Sequence, residues 1–216
     1  MINASIFKPK QSTKKKEFEF ILSAILKSYK MMLVDYETIE NDENKIRNRL
    51  HEDYLNNQEI VDLLGLQPYF FDIEVPKNTD YKTTAFSDIK VYSAIERLKN
   101  RQSPYFIIEC KRLENTNTGK GTLNQKYVDN GIKRFIKRVD YPTYYGLNGM
   151  IGFLIKPEKI YEVKDAINKL LPENEHLSQF LFHSEYKFTY KSKHVDFQNK
   201  NIQLYHLILD FSSIIK

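Results

Sequence analysis

The sequence is poor in the residues that cross-link small folds or bind soft metals. Among its 216 residues there are 1 cysteine, no tryptophan and only 7 glycines. A single cysteine excludes an intrachain disulfide framework and a cysteine-rich zinc site. No apolar run approaches the ~20 residues of a membrane span, and the N-terminus lacks an apolar signal region with a cleavage site. We therefore expect a cytoplasmic protein with no membrane partner.

The composition that remains is that of an ordinary globular chain. Hydrophobic residues make up 41% and charged residues 28% of the sequence, which is enough for one core. The net charge of +5 suits a polyanionic partner, although basic proteins are common in cells. A lysine-rich N-terminal segment is consistent either with a basic arm on a phosphate backbone or, more commonly, with a solvated tail: Lys8, Lys10, Lys14, Lys15 and Lys16.

One stretch, residues 105–112 (YFIIECKR), organises the rest of the chain. Its aromatic and β-branched residues, with no Gly or Pro, predict a strand. Side chains alternate along a strand, so Ile107, Glu109 and Lys111 share one face, while the neighbouring residues share the other. Charges on a core strand need partners, because an unpaired buried charge is costly. A plainer interpretation is that the strand leaves the core at Glu109 and both charges pair in solvent.

The remaining periodicities predict an α/β fold with a mixed central sheet flanked by helices, in a single domain overall. Residues 1–36 are expected to form an N-terminal basic arm and a helix packed on the core, and residues 37–216 the main α/β domain. Helices are predicted at 17–33, from Asp42 onward, and at 58–64, 123–138 and 158–171. Strands are predicted at 69–75, 86–92, 105–112 and 149–155, and two antiparallel strands at the sheet edge cover 180–191 and 202–211. Gly131, inside the 123–138 helix, suggests close packing.

Asp88 and the Glu109–Cys110–Lys111 triplet form the strongest chemical pattern. Two carboxylates from neighbouring strands can share a hard divalent cation, and the Cys110 backbone carbonyl offers a third oxygen. Lys111, beside Glu109, can contact an attacking water or a phosphate oxygen. Such equipment suits phosphodiester hydrolysis. Glu43, at the start of the second helix, is a further candidate carboxylate, although it could equally serve the helix N-terminus electrostatically.

At this point residues 43–155 resemble the PD-(D/E)xK nuclease superfamily, whose fold is restriction-endonuclease-like. The resemblance lies in the order of elements: a helix with Glu43, strands with Asp88 and E-x-K, then a helix and a fourth strand. Residues 127–135 (YVDNGIKRF) also resemble a Y-x-x-x-G-x-x-R-F variant in small bacterial members, some of them linked to phage defence. Ser87 stands where the namesake proline would be, and Gln125 and Tyr127 are too close together for the usual Q-x-x-x-Y motif.

The resemblance implies a Mg²⁺-dependent endonuclease acting on DNA in restriction or antiviral defence, with Mn²⁺ as a substitute ion. It implies that Asp88, Glu109 and the Cys110 carbonyl hold the metal, that Lys111 is the catalytic lysine, and that Glu43 is the acidic residue of the first helix. The neighbouring helix is then expected to contact nucleic acid through Lys126, Tyr127, Lys133 and Arg134, although Tyr127 could equally be a packing residue.

Two alternatives stay open from the sequence. The first is a nuclease-fold binding subunit of a larger defence complex, with a helicase or ATPase subunit as partner or with a homodimeric arrangement. The second is an RNase-type toxin, since one sequence does not separate DNA from RNA substrates. The histidines at 183, 194 and 206 show no metal-ligand spacing, and we expect them to be structural or exposed.

Overall fold

The computed structural model describes residues 11–79, 82–99, 104–138 and 141–216. The described helices are α1 (Gln11–Asp35), α2 (Glu43–Arg49), α3 (Gln58–Leu64), α4 (Ala94–Lys99), α5 (Leu123–Tyr127), α6 (Lys133–Lys137) and α7 (Ile160–Asn168). The described strands are β1 (Tyr69–Thr79), β2 (Lys82–Ser93), β3 (Phe106–Leu113), β4 (Leu147–Leu154), β5 (Ser178–Gln179), β6 (Thr189–Val195) and β7 (Asn201–Asp210). Two π-helical segments, Leu50–Leu55 and Val128–Ile132, continue α2 and join α5 to α6.

The strands form one mixed sheet in the order β1-β2-β3-β4-β7-β6-β5. The first three strands are antiparallel, β3, β4 and β7 run parallel, and β7, β6 and β5 are antiparallel again. The predicted α/β class with a mixed sheet flanked by helices is therefore confirmed. The expected edge position of the 202–211 strand is wrong, because β7 lies inside the sheet between β4 and β6. Its near-continuous burial is typical of a strand covered on both faces.

The strand expected over residues 180–191 is also largely wrong. Strand β6 begins only at Thr189, and the two-residue strand β5 ends at Gln179. Aromatic residues 180, 182 and 188 in between pack against the core without joining the ladder. The aromatic side chains of this stretch therefore pack a connection over the sheet.

Apolar side chains fill both faces of the sheet. On one face, Phe106, Ile108 and Cys110 of β3 join the cluster built on α1. On the other face, Ile107 joins the cluster that packs under α5, α6 and α7. The predicted alternation along β3 is confirmed, and it places Glu109 and Lys111 on the face covered by α5 and α6.

Helix α1 begins earlier than the periodicity indicated. It starts by Gln11 and includes Lys14, which is 6% exposed and forms ion pairs of 2.8 Å with Glu17 and with Glu96. Lys14 is thus part of a packed helix, neither a solvated tail nor a free basic arm. Lys8 and Lys10 lie outside the described residues.

The helix from Leu123 to Lys137 passes directly over β3 and β4. A Cβ atom at Gly131 would collide with the Met150 side chain of β4 and would lie 3.5 Å from Lys111 Cγ. The absence of a side chain therefore allows the helix to approach the charged part of β3, which confirms the close packing expected at Gly131. Every helix within the described ranges is too short or too polar to cross a bilayer.

Candidate active site

The register of the antiparallel pair β2 and β3 brings the two predicted acids together. Ile89 pairs with Ile108 and Lys90 with Ile107, so one further step in the same register sets Asp88 opposite Glu109. The backbone pairing of β2 with β3 ends at Ile89, one residue before Asp88. Since residues at matching positions of paired strands share a face, both carboxylates point to the side covered by α5 and α6.

The ammonium of Lys111 lies at the point where these carboxylates converge. Its Nζ is 3.0 Å from Glu109 Oε1, 3.4 Å from Asp88 Oδ2 and 2.9 Å from Glu43 Oε1. It also donates to the Cys110 backbone carbonyl at 2.5 Å. Four oxygens from α2, β2 and β3 therefore surround one cationic nitrogen.

Burial excludes the plainer interpretation of the E-x-K pair. Glu109 is 0% exposed and Lys111 is 8% exposed, so the two charges do not pair in solvent at the end of the strand. The surrounding carboxylates raise the pKa of Lys111 although burial acts in the opposite direction. The ammonium is consequently charged throughout the range in which the protein is folded.

Asp88 is held through both of its carboxylate oxygens. Oδ2 accepts the backbone N–H of Cys110 at 2.8 Å, and Oδ1 accepts Nη1 of Arg47 at 2.9 Å. Burial favours protonation of this group. The Lys111 charge, the Cys110 N–H and the Arg47 charge outweigh it, so the pKa of Asp88 lies below its ordinary value. Asp88 is therefore an ionised, oriented oxygen ligand.

Glu109 has a different environment. Oε1 accepts Nη1 of Arg134 at 2.5 Å, and Oε2 lies 2.7 Å from the hydroxyl of Tyr141. Complete burial, together with the charge of Asp88, raises the pKa of Glu109 to about 7, although Lys111 and Arg134 act against the rise. The two neighbouring acids thus differ in proton affinity, which is typical of functional sites with paired carboxylates.

Glu43 joins the first helix to the central strand. Asp42 caps α2 by accepting the Lys45 backbone N–H at 3.0 Å, which sets Glu43 in the first turn. Glu43 Oε2 accepts the Arg112 backbone N–H at 3.0 Å, while Oε1 bonds Lys111. Both sequence interpretations of Glu43 are consistent with this position, since it lies at a helix N-terminus and also contacts the lysine.

The surface over these residues is open, and we call it the acidic cleft: Glu43, Asp88, Glu109, Lys111, Arg47, Glu74, Arg134 and Tyr141. Two cavities of about 330 and 350 Å³ meet there and share Glu43, Asn44, Lys111 and Arg134. Cationic residues stand at the rim of one or other cavity: Arg112, Lys126 and Arg138. A third cavity of about 370 Å³ continues along α6 between Lys133 and Arg138. An anionic ligand could therefore reach the carboxylates past a basic rim.

The four predicted nucleic-acid contacts do not share one environment. Lys126 is exposed at the rim, and Lys133 is half-exposed and paired with Asp129 at 2.5 Å. Arg134 borders the acidic cleft and holds Glu109. Tyr127 is 0% exposed, and its hydroxyl lies 2.9 Å from His206 Nδ1. The expected contact of Tyr127 with a nucleic acid is wrong, because its ring points down onto the sheet; its alternative role as a packing residue holds.

Three residues of the acidic cleft escaped the sequence reasoning: Arg47, Glu74 and Tyr141. Arg47 had a usable signal, since it follows Glu43 by four residues and so shares its side of α2. Strand alternation places Glu74 on the same face as Asp72, and this pattern gives no sign of a contact with α2. Tyr141 follows α6 in a connection, and no periodicity marks it, because its position depends on how the chain returns from α6 to β4.

The donor set suits a hard divalent cation. Carboxylate and carbonyl oxygens are the ligands that Mg²⁺ prefers, at about 2.0–2.1 Å. The four oxygens around Lys111 Nζ stand at 2.5–3.4 Å, so they would have to close in by roughly 1 Å around an ion. In the described part of the chain, no three His, Cys, Asp or Glu side chains are already that close together. The residues fit the chemistry of the ion, with Lys111 now at their centre.

Comparison of the chain with protein-family models, with curated proteins and with solved structures finds no match. The geometry of the acidic cleft and the mixed α/β sheet that carries it are therefore the basis for a functional proposal.

Proposed function

We propose that the protein is a metal-dependent endonuclease of the PD-(D/E)xK type that hydrolyses DNA phosphodiester bonds. One observation carries the proposal: oxygens of Glu43, Asp88 and Glu109 and the Cys110 carbonyl converge on one cationic nitrogen inside an open cleft. The arrangement combines hard oxygen donors with an amine, which metal-assisted phosphoryl chemistry requires. The element order from α2 to β4 supports the same restriction-endonuclease-like assignment.

The charges of the acidic cleft are balanced for such a substrate. With Glu109 in its ionised form, which a bound cation favours, the four carboxylates (Glu43, Glu74, Asp88 and Glu109) face three cations (Arg47, Lys111 and Arg134), which leaves one net negative charge. A divalent cation would convert this to one net positive charge. A phosphodiester group carries one negative charge, so the loaded cleft would be neutral with one such group bound.

Each residue then has a defined part in the reaction. Asp88, Glu109 and the Cys110 carbonyl would hold Mg²⁺ or Mn²⁺, which lowers the pKa of bound water and offsets charge on the phosphate. Cys110 N–H and Arg47 keep Asp88 ionised and oriented. Lys111, whose ammonium stands among these oxygens, would have to move aside for the ion and would then donate a hydrogen bond to the attacking water or to a phosphate oxygen. Glu43 holds the lysine, and Lys126, Arg134 and Arg138 can meet the phosphate backbone.

We infer a cytoplasmic role in restriction or antiviral defence, with DNA as substrate. The intact set of Asp88, Glu109 and Lys111 favours an active enzyme over a binding subunit with the same fold. A helicase, an ATPase subunit or a second copy of the chain would supply DNA-reading surface that the acidic cleft alone does not provide.

The direct test is cleavage by the purified protein. Supercoiled plasmid, linear duplex DNA and RNA are incubated separately with Mg²⁺ or Mn²⁺, using wild type, Asp88→Ala and Lys111→Ala. We expect DNA cleavage that needs the metal and falls on the order of 10³-fold in either variant, equivalent to about 4 kcal/mol of transition-state stabilisation. Asp165→Ala and Lys193→Ala remove the same charges from exposed positions and serve as matched controls.

Two results would count against the proposal. If both folded variants still cleaved DNA, Asp88 and Lys111 would not take part in the reaction. Metal-dependent cleavage of RNA with none of DNA would favour the toxin alternative instead. Circular dichroism and thermal melting of each variant show whether loss of activity accompanies an intact fold.

A further inference from the structure

Arg47 contacts two carboxylates of the acidic cleft at once. Its Nη1 donates to Asp88 Oδ1 at 2.9 Å and its Nη2 donates to Glu74 Oε1 at 2.6 Å. Nε and Nη2 also donate to Asn48 Oδ1, at 3.2 and 2.9 Å. The guanidinium therefore bridges two carboxylates in the way that a metal ion does.

Asp88 consequently lies between two cationic groups. Oδ2 faces Lys111 Nζ, at the point where four oxygens converge, and Oδ1 faces Arg47. A carboxylate that offers one oxygen to each of two cations is the usual bridge in two-metal sites, where the ions stand about 3.5–4 Å apart. Here the cationic group at Oδ1 is the Arg47 guanidinium, a side chain of the protein itself.

The side chain of Arg47 is a permanent occupant. It is 2% exposed and forms two ion pairs, so its departure would break both of them. A guanidinium is not deprotonated at any pH at which proteins fold, so burial does not remove its charge. A second divalent ion at Asp88 Oδ1 would have to displace a fixed positive charge.

The backbone at Glu74 is consistent with this role of Arg47. Glu74 has φ of 50°, in the left-handed region that non-glycine residues rarely adopt. Such strain persists only where other contacts hold the residue. Within the described residues, the ion pair with buried Arg47 provides such a contact for the Glu74 carboxylate.

We propose that Arg47 takes the place of a second cation, so that the protein binds one divalent ion per chain. The proposal rests on the proposed function, because it assumes that the oxygens around Lys111 accept a metal. It adds that the number of bound ions is limited to one. Asp88 Oδ1 and Glu74 could bind a second ion only when the Arg47 guanidinium is removed, and we call these two groups the latent second site.

The test counts bound Mn²⁺ by electron paramagnetic resonance of the free ion and by calorimetry. Wild type is expected to bind one ion and Arg47→Ala two. Arg49→Ala removes the same charge from the same helix, outside the cleft, and is expected to bind one. Arg47→Ala combined with Glu74→Gln removes a ligand of the latent second site and should return the count to one.

Two ions bound to wild type, or one ion bound to folded Arg47→Ala, would overturn the proposal. If Arg47→Ala does not fold, the wild-type count decides together with Arg47→Lys, which keeps the charge and is expected to bind one ion. Wild type that binds no ion and cleaves nothing would refute the proposed function too. Wild type that binds two ions and cleaves through Asp88 would refute only the role of Arg47.

Discussion

Two buried polar networks lie on the same face of the sheet, and they differ in charge. One is the acidic cleft. The other, here called the histidine network, runs from Tyr127 through His206, Ser192 and His194 to Glu175. Pairing across the sheet sets Glu109 beside Met150, and Met150 beside His206. One methionine therefore separates a charged network from a largely neutral one.

The chemistry of the histidine network is that of a packed core. Burial lowers the pKa of His206, with His194 adding to the effect, and burial also lowers the pKa of His194 despite Glu175. Ser192 Oγ lies 2.6 Å from His194 Nε2 and 2.7 Å from His206 Nε2. These neutral groups satisfy one another, and Ser192, His194 and His206 are at most 3% exposed. The histidines are thus structural, as expected.

The two networks differ in the access that a ligand has to their polar groups. In the acidic cleft, fixed charges converge beside open cavities, and ligands can exchange with the paired groups. In the histidine network, the imidazole nitrogens and the serine hydroxyl all bond protein partners, and the cavities described above do not border these groups. Changes in the first region should therefore reduce activity more than stability, and changes in the second should do the reverse.

The largest expected effect is on activity. Glu109→Gln keeps the shape of the side chain and removes a charge that we propose binds the metal. We expect Mg²⁺-dependent cleavage to fall on the order of 10³-fold, or about 4 kcal/mol, with the fold retained. The comparison would fail if Glu109→Gln cleaved DNA at the wild-type rate while Ser192→Ala did not. Cleavage rates measured well below each melting temperature test this.

The residue between the two networks should have the largest effect on stability. Met150 is 0% exposed, so Met150→Ala leaves a cavity and is expected to reduce the free energy of unfolding by about 2–5 kcal/mol. Met150→Leu conserves volume and should lose less than about 1.5 kcal/mol. Guanidinium denaturation measures both. Equal losses in Met150→Ala and Met150→Leu would show that side-chain volume at this position does not affect stability.

A smaller loss of stability is expected in the histidine network. Ser192→Ala removes the hydroxyl that bonds both histidines and leaves two buried nitrogens without that partner. We expect a loss of about 1–3 kcal/mol in urea denaturation, with cleavage unchanged. Ser184→Ala, at an exposed position, is the matched control. If Ser192→Ala were stable and had lost cleavage, the histidine network would also be needed for the reaction.

The smallest effect is a dependence of stability on pH. The folded pKa of His206 and of His194 lies below the unfolded value of about 6.5, so the unfolded chain binds more protons below that pH. The contribution of the two histidines to stability should be complete above pH 6.5 and should fall as the pH decreases below it, by up to about 1.4 kcal/mol per unit for each histidine. Glu109, whose pKa is raised to about 7, acts in the opposite direction between pH 7 and 5. His206→Gln should flatten the slope between pH 7 and 5. An unchanged slope would show that His206 does not titrate between the two states.

Local patterns were sufficient for the central strand and its charges. The alternation of residues 105–112 predicted that Glu109 and Lys111 share a face, and the structure confirms this. The predicted helices and the first four strands also appear, with boundaries displaced by a few residues at most positions. Periodicity detects these elements because each has one clear apolar face.

Contacts between distant parts of the chain escaped prediction. The interior position of β7 depends on which strand pairs with β4, and an apolar run alone does not state its neighbour. Burial of Tyr127 depends on His206, 79 positions further along the chain. Arg47 meets Asp88 only because α2 packs against the open end of the β2–β3 pair.

The sequence by itself determined which residues carry charge into an apolar strand, because side-chain period and burial cost are local properties of the chain. Only the tertiary structure decided that oxygens of Glu43, Asp88 and Glu109 surround the Lys111 ammonium and that Arg47 takes the other side of Asp88. The reason is that charge–charge contacts depend on distances between separate elements, and strand pairing and helix packing set those distances.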